Sequence, residues 1–274
     1  MHNYPLNLIF TNDYIKKENP SITELLKPLR AMILTRQFPD KADKTMSMKS
    51  FLGTAFHSEA SKRLSKHENF NSEMNIEHPE GIVSGTIDLY DKDTNTVYDF
   101  KLTSVKSFIY GNNNDNYTEQ LNGYAWLLRT KNIEVKKLII IQVYYDWSYA
   151  DMKKIKDYPD EDSQILLIPV WSYDYQQQYF MDRISTFQTT FASNELPICS
   201  DKEMWKNDPK FAVTKNNAIK ATKVCDTLEE AEQYFTDKNL SEDMYYIEQR
   251  LAEPKYCKYY CPARFICQEN QLFI

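Results

Sequence analysis

Asp88, Asp99 and Lys101 are the residues of this chain best spaced for hydrolytic chemistry. Asp99 and Lys101 are two positions apart, so in a strand they share a face. Asp88 lies late in the preceding alternating stretch, and the turn-forming DKDTN (91–95) separates the two. If these stretches pair, the two carboxylates converge on one face of a sheet. Converging carboxylates with open positions suit a hard cation such as Mg²⁺ or Mn²⁺, which keeps waters and takes phosphate oxygens. Such an ion acidifies bound water and clamps a phosphoryl group. A lysine ammonium beside it orients the water or stabilises developing negative charge. The backbone carbonyl of Phe100, between the two side chains, is a further ligand candidate. Alone, the pattern also describes a solvated surface pair worth under about 1 kcal/mol. The surrounding elements must therefore decide.

Those elements read as follows. Residues 21–36 form a helix that Ser21 caps, with Glu24 three positions on and Pro28 interrupting the pattern. Arg30 and Arg36 on it are cations that could face a substrate phosphate. A second helix over 48–66 carries GTAFHSEA and places His57 ahead of the strands, where an imidazole can ligate a metal or position water. Residues 74–78, 81–90 and 95–101 alternate apolar and polar, as in an antiparallel meander. The polar loop GNNNDN (111–116) precedes a helix at 117–131. There Gln120 and Tyr124, at i and i+4, share one face. Gln120 can reach a phosphate or a metal-bound water, and Tyr124 can stack on or hydrogen-bond to a nucleic acid. β-favouring runs follow at 136–147 and 164–170, and a helix starts near Tyr173. The order predicts an α+β fold with a central mixed β-sheet flanked by helices.

The ordered set GTAFH (53–57), GTIDLY (85–90), YDFK (98–101) and QLNGYAWLL (120–128) resembles the motifs of RecB-like PD-(D/E)XK nucleases. The likeness is to phage-type members related to the CRISPR-associated RecB-like exonucleases. It implies a restriction-endonuclease-like fold and a Mg²⁺- or Mn²⁺-dependent DNA nuclease, an exonuclease or end-processing enzyme. His57, Asp88 and Asp99 would be metal ligands, Lys101 the catalytic lysine, and Gln120 with Tyr124 the Q-x3-Y element. The acidic residue before the lysine is Asp here, where many relatives carry Glu. DNA with a free end is the implied partner, and such domains often work beside a helicase or recombinase.

From about Leu196 the texture changes to short, charged, cysteine-bearing segments. The expected division is a nuclease core over 1–195 and a metal- or cluster-binding lobe over 196–274. A helix is expected over 226–239. Cys257, Cys261 and Cys267 are spaced C-x3-C-x5-C, a density that points to metal. A closed site needs a fourth ligand, for which Cys199, after a proline at a loop start, is preferred to Cys225. Four thiolates suit Zn²⁺ or an iron–sulfur cluster equally. The resemblance favours [4Fe–4S] on Cys199, Cys257, Cys261 and Cys267. Such a site would staple a lobe expected to hold few apolar residues of its own.

Composition is ordinary for a globular chain: 274 residues, 42% hydrophobic and 26% charged, with 5 Gly. So few glycines disfavour a glycine-rich nucleotide-binding fold. The net charge of −6 does not advertise a nucleic-acid binder, although an acidic body can hold a basic groove. No run of about 18 apolar residues predicts a membrane span. The opening residues lack a signal-peptide pattern, so a reducing cytoplasm is expected.

Overall fold

A computed structural model of the chain describes residues 9–11, 18–110, 114–193 and 195–268. They fall in two compact units, one within Met1–Arg36 and Lys44–Leu196, the other within Gln37–Asp43 and Pro197–Ile274.

The first unit is α+β. Its mixed sheet has the order β1-β2-β3-β4-β5, formed by Phe70–Glu77, Ser84–Asp91, Thr96–Thr103, Lys137–Tyr144 and Ser163–Ile168. β1, β2 and β3 pair antiparallel, β3 and β4 parallel, and β4 and β5 antiparallel. The parallel step needs a crossover, and the helix α5 (Asn114–Thr130) supplies it. The β2–β3 turn forms as its residues dictate. The Asp91 carboxylate accepts from the Asp93 amide at 3.0 Å and the Thr94 hydroxyl at 2.6 Å, and Asn95 takes a positive φ of 53°.

The expected helix at 21–36 divides at its proline into α1 (Ile22–Leu25) and α2 (Leu29–Gln37). Proline lacks the amide hydrogen and disfavours helical geometry in the residue before it. Ser21 caps α1 by accepting from the Glu24 amide at 3.2 Å. α3 (Met48–Leu64), the short α4 (Val105–Ile109), α6 (Tyr149–Met152) and α7 (Tyr173–Ser193) complete the unit. Residues 114–116, expected in a loop, are helical, and 111–113 lie outside the described residues.

α5 packs into the core through Leu121, Tyr124, Ala125 and Leu128, and Trp126 stacks between His78 and Phe180. Two glycines permit this. A Cβ at Gly123 would sit 2.5 Å from Ile22 Cγ2, so α1 closes on α5 only because the position is bare. A Cβ at Gly85 on β2 would lie 3.0 Å from the Tyr124 ring. Gly85 therefore lets Tyr124, one of the motif residues, lie against the strand.

The second unit has an antiparallel sheet of order β7-β6-β8, from Lys210–Lys215 (β6), Lys223–Cys225 (β7) and Tyr245–Arg250 (β8). Helix α8 (Leu228–Asp237) packs on it, with Thr227 as its cap. Val213, Cys225 and Ala231 are buried there with Phe211, Tyr234, Phe235 and Ile247 around them. The lobe thus has a small apolar core, contrary to expectation. β6 and β8 are too short and too charged to stand out as strands in the sequence. The strip 37–43 belongs here because Asp43 pairs with Arg264 at 2.5 Å and its amide donates to the Pro262 carbonyl at 2.8 Å. No helix is long and apolar enough to cross a membrane, among the described residues.

Candidate active site

The site forms where β2 and β3 part. Their ladder runs Asp91–Thr96, Tyr90–Val97, Leu89–Tyr98 and stops. Asp88 and Asp99 would be the next opposed pair. Instead of a backbone bond, the Phe100 amide donates to Asp88 Oδ2 at 2.8 Å. The strands open around the two carboxylates, and Asp88 is held at the edge of the gap. A strand residue points its carbonyl the same way as its amide, so the Phe100 carbonyl also faces the β2 side.

Asp99 is 1% exposed and is enclosed by Lys101 and Gln120. Lys101 Nζ lies 2.7 Å from Asp99 Oδ2. Gln120 Nε2 donates to Asp99 Oδ1 at 2.8 Å and to the Tyr124 hydroxyl at 3.0 Å, while its Oε1 accepts from Lys101 Nζ at 3.0 Å. The Q-x3-Y pair of α5 thus holds the carboxylate and the lysine in fixed relation. Burial pushes the Asp99 carboxyl up to about 6, against the pull of Lys101 and with a further push from Asp88. Burial, followed by the Asp99 charge, also raises the Tyr124 phenol, which stays protonated. Asp99 Oδ2 contacts the lysine as an ion pair but accepts no properly angled hydrogen bond. For a buried carboxylate oxygen that is an under-satisfied state.

On the other side of Asp88 stands α3. His57 Nδ1 lies 3.2 Å from Asp88 Oδ2, and edge contacts of Phe56 and His57 with Phe100 seat the helix on β3. The hydrogen bond to Asp88 raises the His57 pKa despite partial burial. Glu73, on β1, was missed by sequence reasoning. Ligand atoms of His57, Glu73 and Asp88 lie within 4.8 Å of one another, the one such group of His, Cys, Asp and Glu among the described residues. Burial and the nearby Asp88 raise the Glu73 carboxyl. In sequence Glu73 is one more acidic residue on a polar strand; only the β1–β2 register brings it opposite Asp88.

His57, Glu73 and Asp88, two carboxylates and an imidazole, are a donor set that suits a divalent cation, and Asp99 stands beside them, ion-paired with Lys101. Arg30 and Arg36 do not take part. Arg36 Nη2 pairs with Glu24 Oε2 at 2.8 Å, both side chains 8% exposed, and Arg30 donates to the Leu196 carbonyl. Both are spent on packing, a correction to their phosphate-facing reading.

In the second unit Cys199 lies in a loop, and Cys257, Cys261 and Cys267 lie in the tail around a π-helical turn, Tyr256–Tyr260. Burial comes first in raising the Cys199 thiol, to about 12, followed by Glu203 and by Cys257, Cys261 and Cys267. Burial likewise pushes Cys261 up to about 11 and raises Cys257. These four sulfurs are therefore within electrostatic reach of one another. Cys225 is elsewhere, buried at the end of β7 against Val213 and Ala231. Among the described residues no three cysteine sulfurs approach within 4.8 Å of one another.

No family model matches the chain, and no curated protein matches it. Solved structures do. The protein SSO0001 is similar over 70% of this chain and 85% of its own, at 16% identity and a TM-score of 0.46. A phage-related exonuclease from Haemophilus somnus 129PT covers 69% of this chain and 97% of its own, at 14% identity and a TM-score of 0.46. An alkaline exonuclease from Laribacter hongkongensis covers 63% and 86%, at 12% identity and a TM-score of 0.40. These are likenesses of fold outline; the chemistry is set by the side chains described above.

Proposed function

We propose that the protein is a divalent-metal-dependent DNA nuclease that works at DNA ends. The reading is carried by one observation: the buried Asp99, raised to about 6, is gripped by Lys101 and Gln120 beside Asp88. Asp88, Asp99 and the Phe100 carbonyl would hold a Mg²⁺ or Mn²⁺ ion, with His57 adjoining. The ion, when bound, supplies an acidified water and neutralises phosphate charge. Lys101, held between Asp99 and Gln120, would present its ammonium to the attacking water or to the phosphate oxygen. Gln120 keeps Lys101 aimed, and Tyr124 anchors Gln120. In the second unit, Cys199, Cys257, Cys261 and Cys267 would hold a [4Fe–4S] cluster, or Zn²⁺ in its place, that staples the tail.

The test is incubation of anaerobically purified protein with linear and circular duplexes and single strands, with Mg²⁺ or Mn²⁺. Metal-dependent loss of linear DNA, with circular DNA spared, is expected. Sparing of every substrate with metal present and the cysteine site filled would refute the reading and leave a nucleic-acid-binding protein with a nuclease fold.

A further inference from the structure

We infer that Tyr145 and Tyr149, each with a lysine over its ring, form a stacking surface for an unpaired DNA strand entering or leaving the Asp99–Lys101 site. This rests on the nuclease reading and deepens it by naming the form of DNA the site receives. The surface follows β4 and lies within the first unit.

The aromatic residues of the segment 145–158 are of two kinds. Trp147 and Tyr158 are tied down: Trp147 Nε1 donates to the Pro159 carbonyl at 2.9 Å, and the Tyr158 hydroxyl accepts from the Ser148 amide at 3.0 Å. Tyr145 and Tyr149 are turned outward, 42% and 59% exposed, and their hydroxyls make no hydrogen bond among the described residues. Each has an ammonium over its ring instead. Lys49, on α3, stands 5.7 Å from the Tyr145 centroid, and Lys153 stands 4.2 Å from that of Tyr149. Neither lysine has an ion-pair partner among the described residues. The backbone beneath the rings is fixed. The Tyr145 amide donates to the Thr103 carbonyl at 3.0 Å, and Asp146 Oδ1 accepts from the Val105 amide at 2.7 Å. An exposed ring with an unpaired cation beside it offers a π-face to a base and a charge to its phosphate.

The surface lies within a few nucleotides of the site. Thr103, which holds Tyr145, is two residues beyond Lys101 on β3, about 7 Å along the strand. α3 covers similar ground, since Lys49 precedes His57 by eight residues, about 12 Å of helix. At the 3.4 Å spacing of stacked nucleotides that is about three or four of them. Exposed Lys154 and Lys156 extend the positive charge past Tyr149. Asp160, Glu161 and Asp162 lead into β5, on the far side of β4 from β3, and repel phosphates from that side. In a duplex the base faces are stacked on one another, so only an unpaired strand can use these rings.

The experiment is fluorescence anisotropy of the full chain with a chelator present, using a labelled single strand of about 15 nucleotides and the blunt duplex of the same sequence. Tyr145→Ala and Tyr149→Ala should each weaken single-strand binding at least about fivefold and leave duplex binding unaltered. Tyr149→Phe, which keeps the ring, should bind as wild type. Lys49→Gln and Lys153→Gln should each lower the slope of log affinity against log salt by about 0.7. Circular dichroism checks that each variant is folded. Unaltered single-strand affinity in the folded double variant Tyr145→Ala, Tyr149→Ala would overturn the inference, as would an equal loss on the blunt duplex. Metal-dependent cleavage with ring-independent binding would remove the surface and leave the nuclease reading standing. Ring-dependent binding by a protein that cuts nothing would support the surface and refute the nuclease reading.

Discussion

Replacing Asp99 with Asn should stabilise the metal-free protein, because burial disfavours the ionised carboxylate. Asp99 is 1% exposed, and burial lifts its carboxyl from 3.8 to about 6 even with Lys101 2.7 Å away. A group whose folded value is raised contributes stability that is fully present below the unfolded value and lost as pH rises through the folded one. The window is therefore about pH 4 to 6. By pH 8, ionising Asp99 costs about 3 kcal/mol relative to the unfolded chain. That cost is already net of the Lys101 attraction, and Asn keeps the acceptor for Gln120, so the net gain is about 1–3 kcal/mol. In a unit of this size that corresponds to a rise in Tm of about 2–12 °C. The assay is thermal denaturation with a chelator at pH 8 and pH 5. Asp99→Asn should melt above wild type at pH 8, and the difference should shrink or reverse at pH 5. Added Mg²⁺ should raise the wild-type Tm and leave the variant unchanged. A variant less stable than wild type at pH 8 without metal would refute the reasoning.

Gly85→Ala places a Cβ 3.0 Å from the Tyr124 ring and 3.2 Å from Leu127, so it should cost about 1–3 kcal/mol in a urea titration. Because Tyr124 anchors Gln120, it should also slow cleavage. Arg36→Ala removes the guanidinium facing Glu24, both 8% exposed, and should cost about 3 kcal/mol with cation affinity unaltered by calorimetry. Under anaerobic purification, Cys261→Ser should lose the metal proposed for the tail, read by visible absorbance and elemental analysis. Cys225→Ser, packed in the β7 core, should keep it.

Much of the site was legible because its parts are local. The alternation of residues 81–101, the Asp-rich turn and the i, i+4 spacing of Gln120 and Tyr124 are short-range signals, and the strands, turn and helix formed where they indicated. What escaped was tertiary. Glu73 becomes a candidate ligand only through the β1–β2 register, and its backbone φ of +49°, unusual within a strand, has no signature in its neighbours. Arg36 reads as a surface cation until α1 brings Glu24 against it. The second sheet escaped for a different reason. KFAVTK (210–215) and YYIEQR (245–250) are short and carry charged residues, and the pairing that makes them strands reaches across β7 and α8. The strip 37–43 joins that unit through Asp43 and Arg264, a contact no local pattern announces.

The central claim, that this constellation hydrolyses phosphodiesters, is tested most directly by single-turnover cleavage of linear DNA with Lys101→Ala. The ammonium lies at an open site, 24% exposed, so the variant should fold and bind DNA within about twofold of wild type while its rate falls about 10²- to 10³-fold. A folded, DNA-binding variant that cuts at the wild-type rate would contradict the account.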